Sequence, residues 1–393
     1  MRVTCLIDHL ISGGAQRQLC TLAAFLQRRG HEVTVLTYHS NEFFLPLLRE
    51  AGVGYRCVSA RTKAGRVWAL RRALRGGNQD VVLAYLEGPC LYAELAGLPW
   101  RRWGLVVSER NAIPASHRAR LPWRRWLHRT ADYVVTNSHT NRLMLEHAVP
   151  SLCGRVVTIY NALDLQTFSP GLLPRDRRPN ELRLVAAARH DYQKNAEGLV
   201  EALAIARSRE PRIDISFDWY GYDPFAHAQV RGGTPYQRTR GLIQSHGLTN
   251  HFRLHEDSTD IATIYRQSDG VVLPSFFEGL PNVVCEAMGC GRPVLISNVC
   301  DAGNLVREGH NGFVFDPHSP PHVAGVIRKF AALPAEERER MGSNGRLMAE
   351  QMFDAERILT RTTQVLEAAS RHTVSAIEHW FPAVPQTAYR ALA

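Results

Sequence analysis

The stretch SFFEGLPNVVCEAM, residues 275–288, contains two glutamates eight positions apart, Glu278 and Glu286. It follows an apolar run, residues 270–274, that predicts a buried parallel strand. Pro281 stands where a helix begins, so the pattern places Glu278 in a loop and Glu286 on the helix. Both carboxylates can then face the crevice at the carboxyl end of the sheet, where open α/β sheets bind ligands.

The groups at this loop favour one kind of ligand. Carboxylates accept hydrogen bonds from hydroxyl groups, and the free N–H groups at a helix start favour a phosphate. A molecule that carries both hydroxyls and a diphosphate fits, and a nucleotide sugar is the commonest such molecule. The alternative is that two surface glutamates flank a loop by chance, because glutamate is common and the spacing is a single number.

Two cations follow the first strand expected in the second half of the chain. They are Arg189 and Lys194, in the segment ARHDYQKN of residues 188–195. Arginine offers a planar fork and lysine a mobile point charge, a combination suited to the two phosphates of a nucleoside diphosphate. The alternative is a pair of exposed cations without a ligand.

The apolar runs of the chain predict two doubly wound α/β domains. A strand at residues 2–8, a glycine turn, a helix that Gly30 ends and a strand at residues 31–37 form a βαβ unit. A chain of 393 residues also exceeds what one core usually supports. Further strands are expected at residues 81–84, 104–107, 133–136, 182–187, 213–220, 252–254, 270–273 and 293–297. We therefore predict one domain over residues 1–168, a linker rich in Pro, Gly and Arg over 169–181, and a second domain over 182–365.

The eight cysteines are scattered and include no C-x-x-C pair. Buried free thiols in a reducing compartment explain them better than disulfides or a zinc site, so no structural metal is expected. No stretch approaches the roughly 18 apolar residues of a membrane span, and the first residues form a strand pattern rather than a signal peptide. We expect a cytoplasmic protein.

The formal net charge of +10 is unevenly distributed along the chain. Between Trp100 and Thr130, eight arginines are interleaved with four tryptophans, and a second basic block spans residues 61–75. Arginine with tryptophan suits an anionic bilayer surface. The tryptophans are Trp100, Trp103, Trp123 and Trp126, and the arginines are Arg101, Arg102, Arg110, Arg118, Arg120, Arg124, Arg125 and Arg129. A nucleic-acid partner is not expected, because no helix-turn-helix, RNP or zinc-finger pattern is present. A solvated basic face without a partner is the other alternative.

The chain resembles the retaining GT-B glycosyltransferases of family four, also called group 1 glycosyltransferases. Members share a P-S-x-x-E-G segment, here residues 274–279, and an A-x-x-x-G-x-P-V turn, here residues 287–294. They also share an Asn-Gly segment, here in residues 310–313, and an N-G-x-D segment, in which Ala162 replaces the glycine in this chain. The resemblance covers nearly the whole chain.

This resemblance implies a GT-B fold of two facing Rossmann-like domains with a donor and acceptor cleft between them. The N-terminal domain would bind the acceptor and the C-terminal domain the nucleotide sugar, and residues 366–393 would pack back on the N-terminal domain. The reaction implied is transfer of a sugar from a nucleoside diphosphate to an acceptor hydroxyl, with retention at the anomeric carbon. A leaving-group oxygen takes the acceptor proton in the mechanism favoured for this family, so the resemblance implies neither a cofactor nor a metal.

The resemblance also implies roles for individual residues. Glu278 would accept hydrogen bonds from the donor sugar, and Arg189 and Lys194 would stabilise the departing diphosphate. Glu286 would hold the ribose hydroxyls. The donor-binding set is Gly13, Gly14, Gly279, Leu280, Asn282 and Glu286.

One feature of the family is missing. Many relatives place a histidine after the fourth or fifth strand of the first domain, whereas here that strand ends in residues 107–111 without one. Glu109, Asn111 and Asn161 are the candidates for contact with donor or acceptor in its place. For Glu109, an ion pair with Arg110 or Arg118 is an equal alternative.

The preferred hypothesis is a glycosyltransferase of polysaccharide or lipopolysaccharide biosynthesis, peripheral on the cytoplasmic face of the inner membrane, with a lipid-linked or other envelope saccharide as acceptor. A nucleotide-sugar epimerase and a catalytically silent nucleotide-sugar binding protein are the alternatives. A dinucleotide oxidoreductase is disfavoured, because Gly13 and Gly14 do not form a G-x-G-x-x-G motif.

Overall fold

The computed structural model describes residues 1–41, 43–110, 122–171, 181–209, 214–228 and 230–373. Their contacts divide the chain into two compact units. Among the described residues, the first contains Met1–Ala162 and Ala355–Thr373, and the second contains Leu163–Asp354.

The first unit is built on a seven-stranded sheet in which every paired strand is parallel to its neighbour, in the order β3-β2-β1-β4-β5-β6-β7. Its strands are β1 (Arg2–Leu6), β2 (Glu32–Thr37), β3 (Gly54–Cys57), β4 (Val81–Tyr85), β5 (Gly104–Glu109), β6 (Tyr133–Thr136) and β7 (Val156–Thr158). The helices between them are α1 (Gly14–Arg28), α2 (Leu45–Glu50), α3 (Lys63–Arg75), α4 (Glu87–Gly97), α5 (Pro122–Leu127) and α6 (His139–Ala148), with 3-10 turns at His128–Thr130 and Pro150–Leu152. The central strand β4 is buried along its whole length, which is why it reads as a continuous apolar run.

The second unit has a six-stranded parallel sheet in the order β10-β9-β8-β11-β12-β13. Its strands are β8 (Glu181–Ala187), β9 (Asp214–Tyr220), β10 (Phe252–His255), β11 (Gly270–Leu273), β12 (Val294–Ser297) and β13 (Gly312–Phe315). Its helices are α7 (Ala196–Arg209), α8 (Pro235–Ser245), α9 (Ile261–Arg266), α10 (Asn282–Gly289), α11 (Ala302–Leu305), α12 (Pro320–Ala331) and α13 (Ala335–Phe353), with a 3-10 turn at Tyr192–Lys194. The predicted pair of Rossmann-like α/β domains is confirmed.

The last described helix, α14 (Ala355–Ser370), belongs to the first unit and packs on β4 and β5. Its backbone approaches β5 so closely that a Cβ atom on Gly104 would lie 2.3 Å from the carbonyl oxygen of Ala369. Ile358, Leu359 and Leu366 are buried in the core of this unit. The helix therefore completes the first unit's core.

The boundaries between the units differ from those expected at residues 168 and 365. The chain leaves the first unit after Ala162 and returns to it at Ala355, so the return begins earlier than the expected segment 366–393. The described part of the expected linker, residues 169–171 and Glu181, lies within the second unit, where a nitrogen of Arg292 donates to the carbonyl of Gly171. Residues 172–180 and 374–393 lie outside the described part of the chain.

Three strands of the sheets were not expected from the apolar pattern. The edge strand β3 is mostly exposed and has no apolar run, and β7 is only three residues long. The third, β13, begins at the glycine of the Asn-Gly segment and is only four residues long. Short or exposed strands carry little of the periodicity that identifies a strand.

Candidate active site

The loop after β11 places both glutamates at the carboxyl end of the second sheet. Pro281 is the N-cap of α10, so Glu278 lies in the loop and Glu286 on the helix, as expected. Glu278 is buried, with 7% of its surface exposed. The hydroxyl of Tyr265 donates to Oε2 of Glu286 over 3.4 Å, which links α9 to α10.

The two charges expected at this site meet directly. Nζ of Lys194 lies 2.6 Å from Oε1 of Glu278, and the side chains are 16% and 9% exposed. The Coulomb attraction between two opposite charges this close and largely shielded from water is stronger than that of an exposed pair. The structure thus brings a cation and a carboxylate together at the end of adjacent strands β8 and β11.

The segment that carries Lys194 is fixed by side-chain hydrogen bonds. Asp191 caps the 3-10 turn by accepting from the N–H of Lys194. Asn195 adopts the left-handed conformation, with φ of 55°, and its amide donates to the carbonyls of Pro274 and Pro317. The amide of Gln193 donates to the carbonyl of Phe277 over 2.7 Å. These bonds hold the turn against the loop that carries Glu278.

Arg189 remains accessible to a ligand. Its side chain is 48% exposed, and its Nη2 lies 2.9 Å from Oδ2 of Asp191. Since an exposed pair of this kind is weak, the guanidinium can exchange Asp191 for a phosphate.

Backbone donors lie beside Glu278. Among the described residues, the N–H groups of Gly279 and Leu280 donate to no protein acceptor. Leu280 is 6% exposed, so its N–H is largely shielded from water as well. Unpaired donors near a helix start are suited to an anion. Asn282 is the first residue of α10 and continues the same edge.

The first unit contains the remaining expected residues. Gly13 is the N-cap of α1 and Gly14 its first residue, at the carboxyl end of β1. The backbone of Gly13 is extended, with φ of −169°, a conformation open to any residue. Asn111 lies outside the described residues.

Glu109, at the end of β5, is part of a buried charge cluster. Nε2 of His128 donates to its Oε1 over 3.0 Å, and Nε of Arg125 lies 3.5 Å from the same oxygen. The other ring nitrogen of His128 donates to Oε1 of Glu94 over 2.5 Å. Of the two alternatives for Glu109, an ion pair is present, but its cations are Arg125 and His128 rather than Arg110. Arg118 lies outside the described residues.

The cluster holds His128 in its charged form. Burial alone would lower the pKa of His128, but the hydrogen bonds to Glu109 and Glu94 raise it to about 10. The pKa of Glu109 is lowered: burial opposes ionisation, and the contacts with His128 and Arg125 outweigh it. Burial raises the pKa of Glu94 despite its bond to His128. A doubly protonated imidazole donates at both nitrogens, as this geometry requires.

Asn161 is held by Arg110. Nη1 of Arg110 donates to Oδ1 of Asn161 over 2.5 Å, its Nη2 donates to the hydroxyl of Tyr85, and its Nε donates to Oγ of Ser108 over 3.1 Å. Arg110 is 9% exposed and Asn161 is 7% exposed. Arg110 therefore fixes the carboxyl ends of several strands of the first sheet rather than contributing to a basic surface.

Part of the arginine and tryptophan segment is likewise structural, which corrects the assignment of all its arginines and tryptophans to a bilayer-facing surface. Trp103 is 4% exposed and belongs to the core, and Arg101 pairs with Asp132 over 2.7 Å. Among the described residues of the same unit, four tryptophans are exposed, and an arginine lies over the ring of three of them. They are Trp68 (63%, with Arg72), Trp100 (70%), Trp123 (54%, with Arg124) and Trp126 (54%, with Arg129).

The described residues contain no group of three or more His, Cys, Asp or Glu side chains arranged to hold a metal ion. Within the same residues, none of the helices combines the length and apolar character needed to cross a bilayer.

Two protein-family models match the sequence of this chain. The model of the Glycosyltransferase Family 4 matches residues 12–167, and that of the Glycosyl transferases group 1 matches residues 175–348. A D-inositol 3-phosphate glycosyltransferase of Arthrobacter sp. (strain FB24) is 28% identical over 238 residues, which are 56% of this chain and 54% of that protein. Spore coat protein SA of Bacillus subtilis (strain 168) is 28% identical over 231 residues, 56% of this chain and 60% of that protein. The chain spans about half the length of the curated relatives it matches.

Solved structures show the same fold. Anabaena Alr3699/HepE in complex with UDP superposes with a TM-score of 0.78 at 20% identity, covering 94% of this chain and 100% of that one. The lipopolysaccharide outer core galactosyltransferase WaaB superposes with a TM-score of 0.70 at 14% identity, covering 94% and 99%. The chain belongs to the family four glycosyltransferases of GT-B fold.

Three groups near these residues were not found from the sequence. His128 is separated from Glu94 and Glu109 by intervals that carry no motif, and Tyr265 reaches Glu286 from another helix. The sequence places Arg110 in the basic segment and offers it as an ion-pair partner of Glu109, but nothing in the sequence indicates its hydrogen bond to Asn161.

Proposed function

We propose that this protein transfers a sugar from a nucleoside-diphosphate sugar to an acceptor hydroxyl, with retention at the anomeric carbon. The observation that carries the proposal is the contact between Lys194 and Glu278 beside the unpaired N–H groups of Gly279 and Leu280. A cation, two backbone donors and a carboxylate thus lie together at the carboxyl ends of the adjacent strands β8 and β11. Among the structural neighbours, Alr3699/HepE has been solved with UDP and with UDP-glucose.

Each group has a separate task in this proposal. Lys194 and Arg189 bind the diphosphate as its negative charge grows during departure of the sugar, together with the donors of Gly279 and Leu280. Glu278 accepts hydrogen bonds from hydroxyls of the transferred sugar and orients its ring. Glu286 accepts from the ribose hydroxyls, and Tyr265 orients its carboxylate.

The proposed reaction needs neither a protein base nor a metal. A phosphate oxygen of the leaving group takes the proton from the acceptor hydroxyl on the face from which the diphosphate departs. The bond from the anomeric carbon to the diphosphate breaks as the bond to the acceptor oxygen forms, so the configuration is retained. Positive charge from Lys194 and Arg189 supplies the stabilisation that a metal would otherwise give.

We also propose an acceptor carried by a membrane, within polysaccharide or lipopolysaccharide biosynthesis. The exposed tryptophans Trp68, Trp100, Trp123 and Trp126 support docking of the first unit on an anionic bilayer at the cytoplasmic face of the inner membrane. Indole rings lie at the level of the lipid headgroups, and the adjoining arginines bind the phosphates. In this arrangement the protein binds the saccharide acceptor at the membrane surface that holds its lipid anchor.

The test is thermal stabilisation by a panel of nucleoside diphosphates and nucleotide sugars, with and without EDTA, because a ligand of the folded state raises its melting temperature. We expect a shift that depends on the base and is unchanged by EDTA, and transfer of the matching sugar with retention. Stabilisation with conversion of the donor to another sugar in the absence of acceptor would identify an epimerase. Absence of any shift would contradict the donor site.

A further inference from the structure

A cavity of about 500 Å³ opens in the second unit at the starts of three helices. Ala196 of α7, Pro235 of α8 and Pro320 of α12 line it. Its lining includes none of Arg189, Lys194, Glu278 or Glu286. The cavity is therefore separate from the candidate donor site, and its volume lies within the range of about 300–1,000 Å³ that is usual for small-molecule sites.

His190 is a buried polar side chain in the lining of this cavity. It is 1% exposed, and within the described chain neither of its ring nitrogens has a hydrogen-bond partner. The ring stacks on Trp219 at 5.7 Å between centroids and meets the edge of Tyr236 at 4.9 Å. Since buried polar groups are nearly always paired, two orphaned nitrogens at a cavity wall indicate a missing partner.

The protonation state of His190 determines which hydrogen-bonding groups the missing partner must have. Burial lowers its pKa to about 4, despite the opposing effect of Asp223 and Asp191. The ring is thus neutral near pH 7 and offers one N–H donor and one acceptor nitrogen. A hydroxyl group can donate to the unprotonated nitrogen and can accept from the N–H, so it can satisfy either one.

The charged side chains in the lining of the cavity are mainly carboxylates. Glu201 is exposed, and Glu197 pairs with Arg238 at 3.0 Å. With Asp191 also in the lining, carboxylates outnumber the single arginine. The excess of negative charge in the lining disfavours binding of an anion. A neutral molecule with several hydroxyls can instead donate hydrogen bonds to the carboxylates.

Aromatic rings form a further wall. Tyr192 lies 5.0 Å from Phe276, and Phe276 stacks on His318 at 4.8 Å between centroids. The electron-rich face of an aromatic ring attracts the slightly positive C–H groups of a sugar ring. Aromatic rings can pack against the C–H groups of an uncharged saccharide, and carboxylates can accept hydrogen bonds from its hydroxyls.

We propose that this cavity is a saccharide-binding site, distinct from the donor site. An uncharged sugar would place hydroxyls on His190 and Glu201 and a ring face against Phe276 and Tyr192. Tyr192 lies in the turn that ends at Lys194, and Phe276 precedes Glu278 by two residues. A glycan held here would be bound against the two segments that carry the proposed catalytic pair.

The experiment is saturation-transfer NMR on the purified full chain with maltose, cellobiose, lactose and N,N′-diacetylchitobiose as probes. We expect saturation transfer to at least one of them. His190→Phe keeps the ring against Trp219 but removes both nitrogens, and Glu201→Ala removes an exposed carboxylate. Each variant is expected to bind that disaccharide about tenfold more weakly. Glu336→Ala, an exposed carboxylate on α13, is the matched control and is expected to bind as the wild type does.

Binding to Glu278→Gln separates this site from the donor site. The disaccharide should still bind to that variant, whereas a disaccharide in the donor site would be lost. Absence of transfer to all four probes would overturn the proposal, as would unchanged binding to both His190→Phe and Glu201→Ala. Binding of a nucleoside diphosphate, measured separately by melting temperature, tests the proposed donor site. The donor-site proposal and the saccharide-site proposal can therefore fail independently of each other.

Discussion

Nζ of Lys194 lies 2.6 Å from Oε1 of Glu278, although the two residues are 84 positions apart in the chain. The ammonium is held at the strand end by the carboxylate before any phosphate arrives. Binding of a diphosphate would then add a second anion to a cation that is already in position, so little reorganisation is needed.

The first prediction concerns this pair. Lys194→Met should lower kcat about 10²- to 10³-fold, because it removes charge stabilisation of the departing diphosphate. Glu278→Gln should abolish transfer while the protein stays folded. Steady-state kinetics and circular dichroism measure the two effects. Lys329→Met provides a control, since Lys329 forms an exposed pair with Glu308 at 3.2 Å in the same unit. Full activity in either variant of the Lys194–Glu278 pair would remove those residues from the mechanism.

The second prediction concerns the pH dependence of stability. The pKa of His128 is about 10 in the folded protein and 6.5 in the unfolded reference, so its stabilisation is complete below pH 6.5 and is lost as pH rises through about 10. His128→Gln should lower the free energy of unfolding by about 3–5 kcal/mol near neutral pH, because it leaves buried Glu94 without its cation and Glu109 with Arg125 alone. Urea unfolding over this pH range measures the difference.

The difference between His128→Gln and wild type should shrink as pH approaches 10. His246→Gln, at an exposed position after α8, is the control and should change stability little at any pH. A difference that is constant across the range would show that His128 acts by packing alone.

The third prediction concerns the approach of α14 to β5. Gly104→Ala should destabilise the protein by about 1–3 kcal/mol, because the new Cβ would meet the backbone of Ala369 at 2.3 Å. Gly325→Ala, in α12, meets nothing within 4 Å and should stabilise by about 0.5–1 kcal/mol. Thermal denaturation compares the two. Equal melting temperatures would show that α14 is not closely packed on β5.

The fourth prediction concerns the exposed tryptophans. Replacing Trp100 and Trp126 by serine should weaken sedimentation with vesicles that contain anionic lipid, and binding of the wild type should fall as salt is added. Leu347→Ser, which removes a side chain 58% exposed on the second unit, should leave vesicle binding unchanged. Wild-type protein that stays in the supernatant with anionic vesicles at low salt would contradict membrane docking.

The sequence predicted the parts of the fold that depend on local patterns. Buried strands such as β4 and β11 read as apolar runs, and Pro281 marked the start of α10, so the positions of Glu278 and Glu286 were correct. The edge strand β3 was missed because its exposed residues have no periodic signal. Local patterning thus sufficed for most strands of the two sheets and for the loop between β11 and α10.

The charge cluster of the first unit could not be predicted in the same way. Glu94, Glu109 and His128 come from α4, β5 and a 3-10 turn, and only the packing of α4 against β5 brings them together. For the same reason Trp103 and Arg110 were assigned to a surface, although burial makes them part of the interior. Contacts between distant segments depend on tertiary packing, which composition does not record.

The place of α14 in the first unit has a consequence for the order in which the protein is made. Residues 163–354 form the second unit, and all of them leave the ribosome before α14, which supplies Ile358, Leu359 and Leu366 to the first unit's core. The second unit can therefore fold during synthesis, while the first must wait with an uncovered apolar surface on β4 and β5. Chaperones that bind nascent chains would find their target in the half of the protein that is translated first.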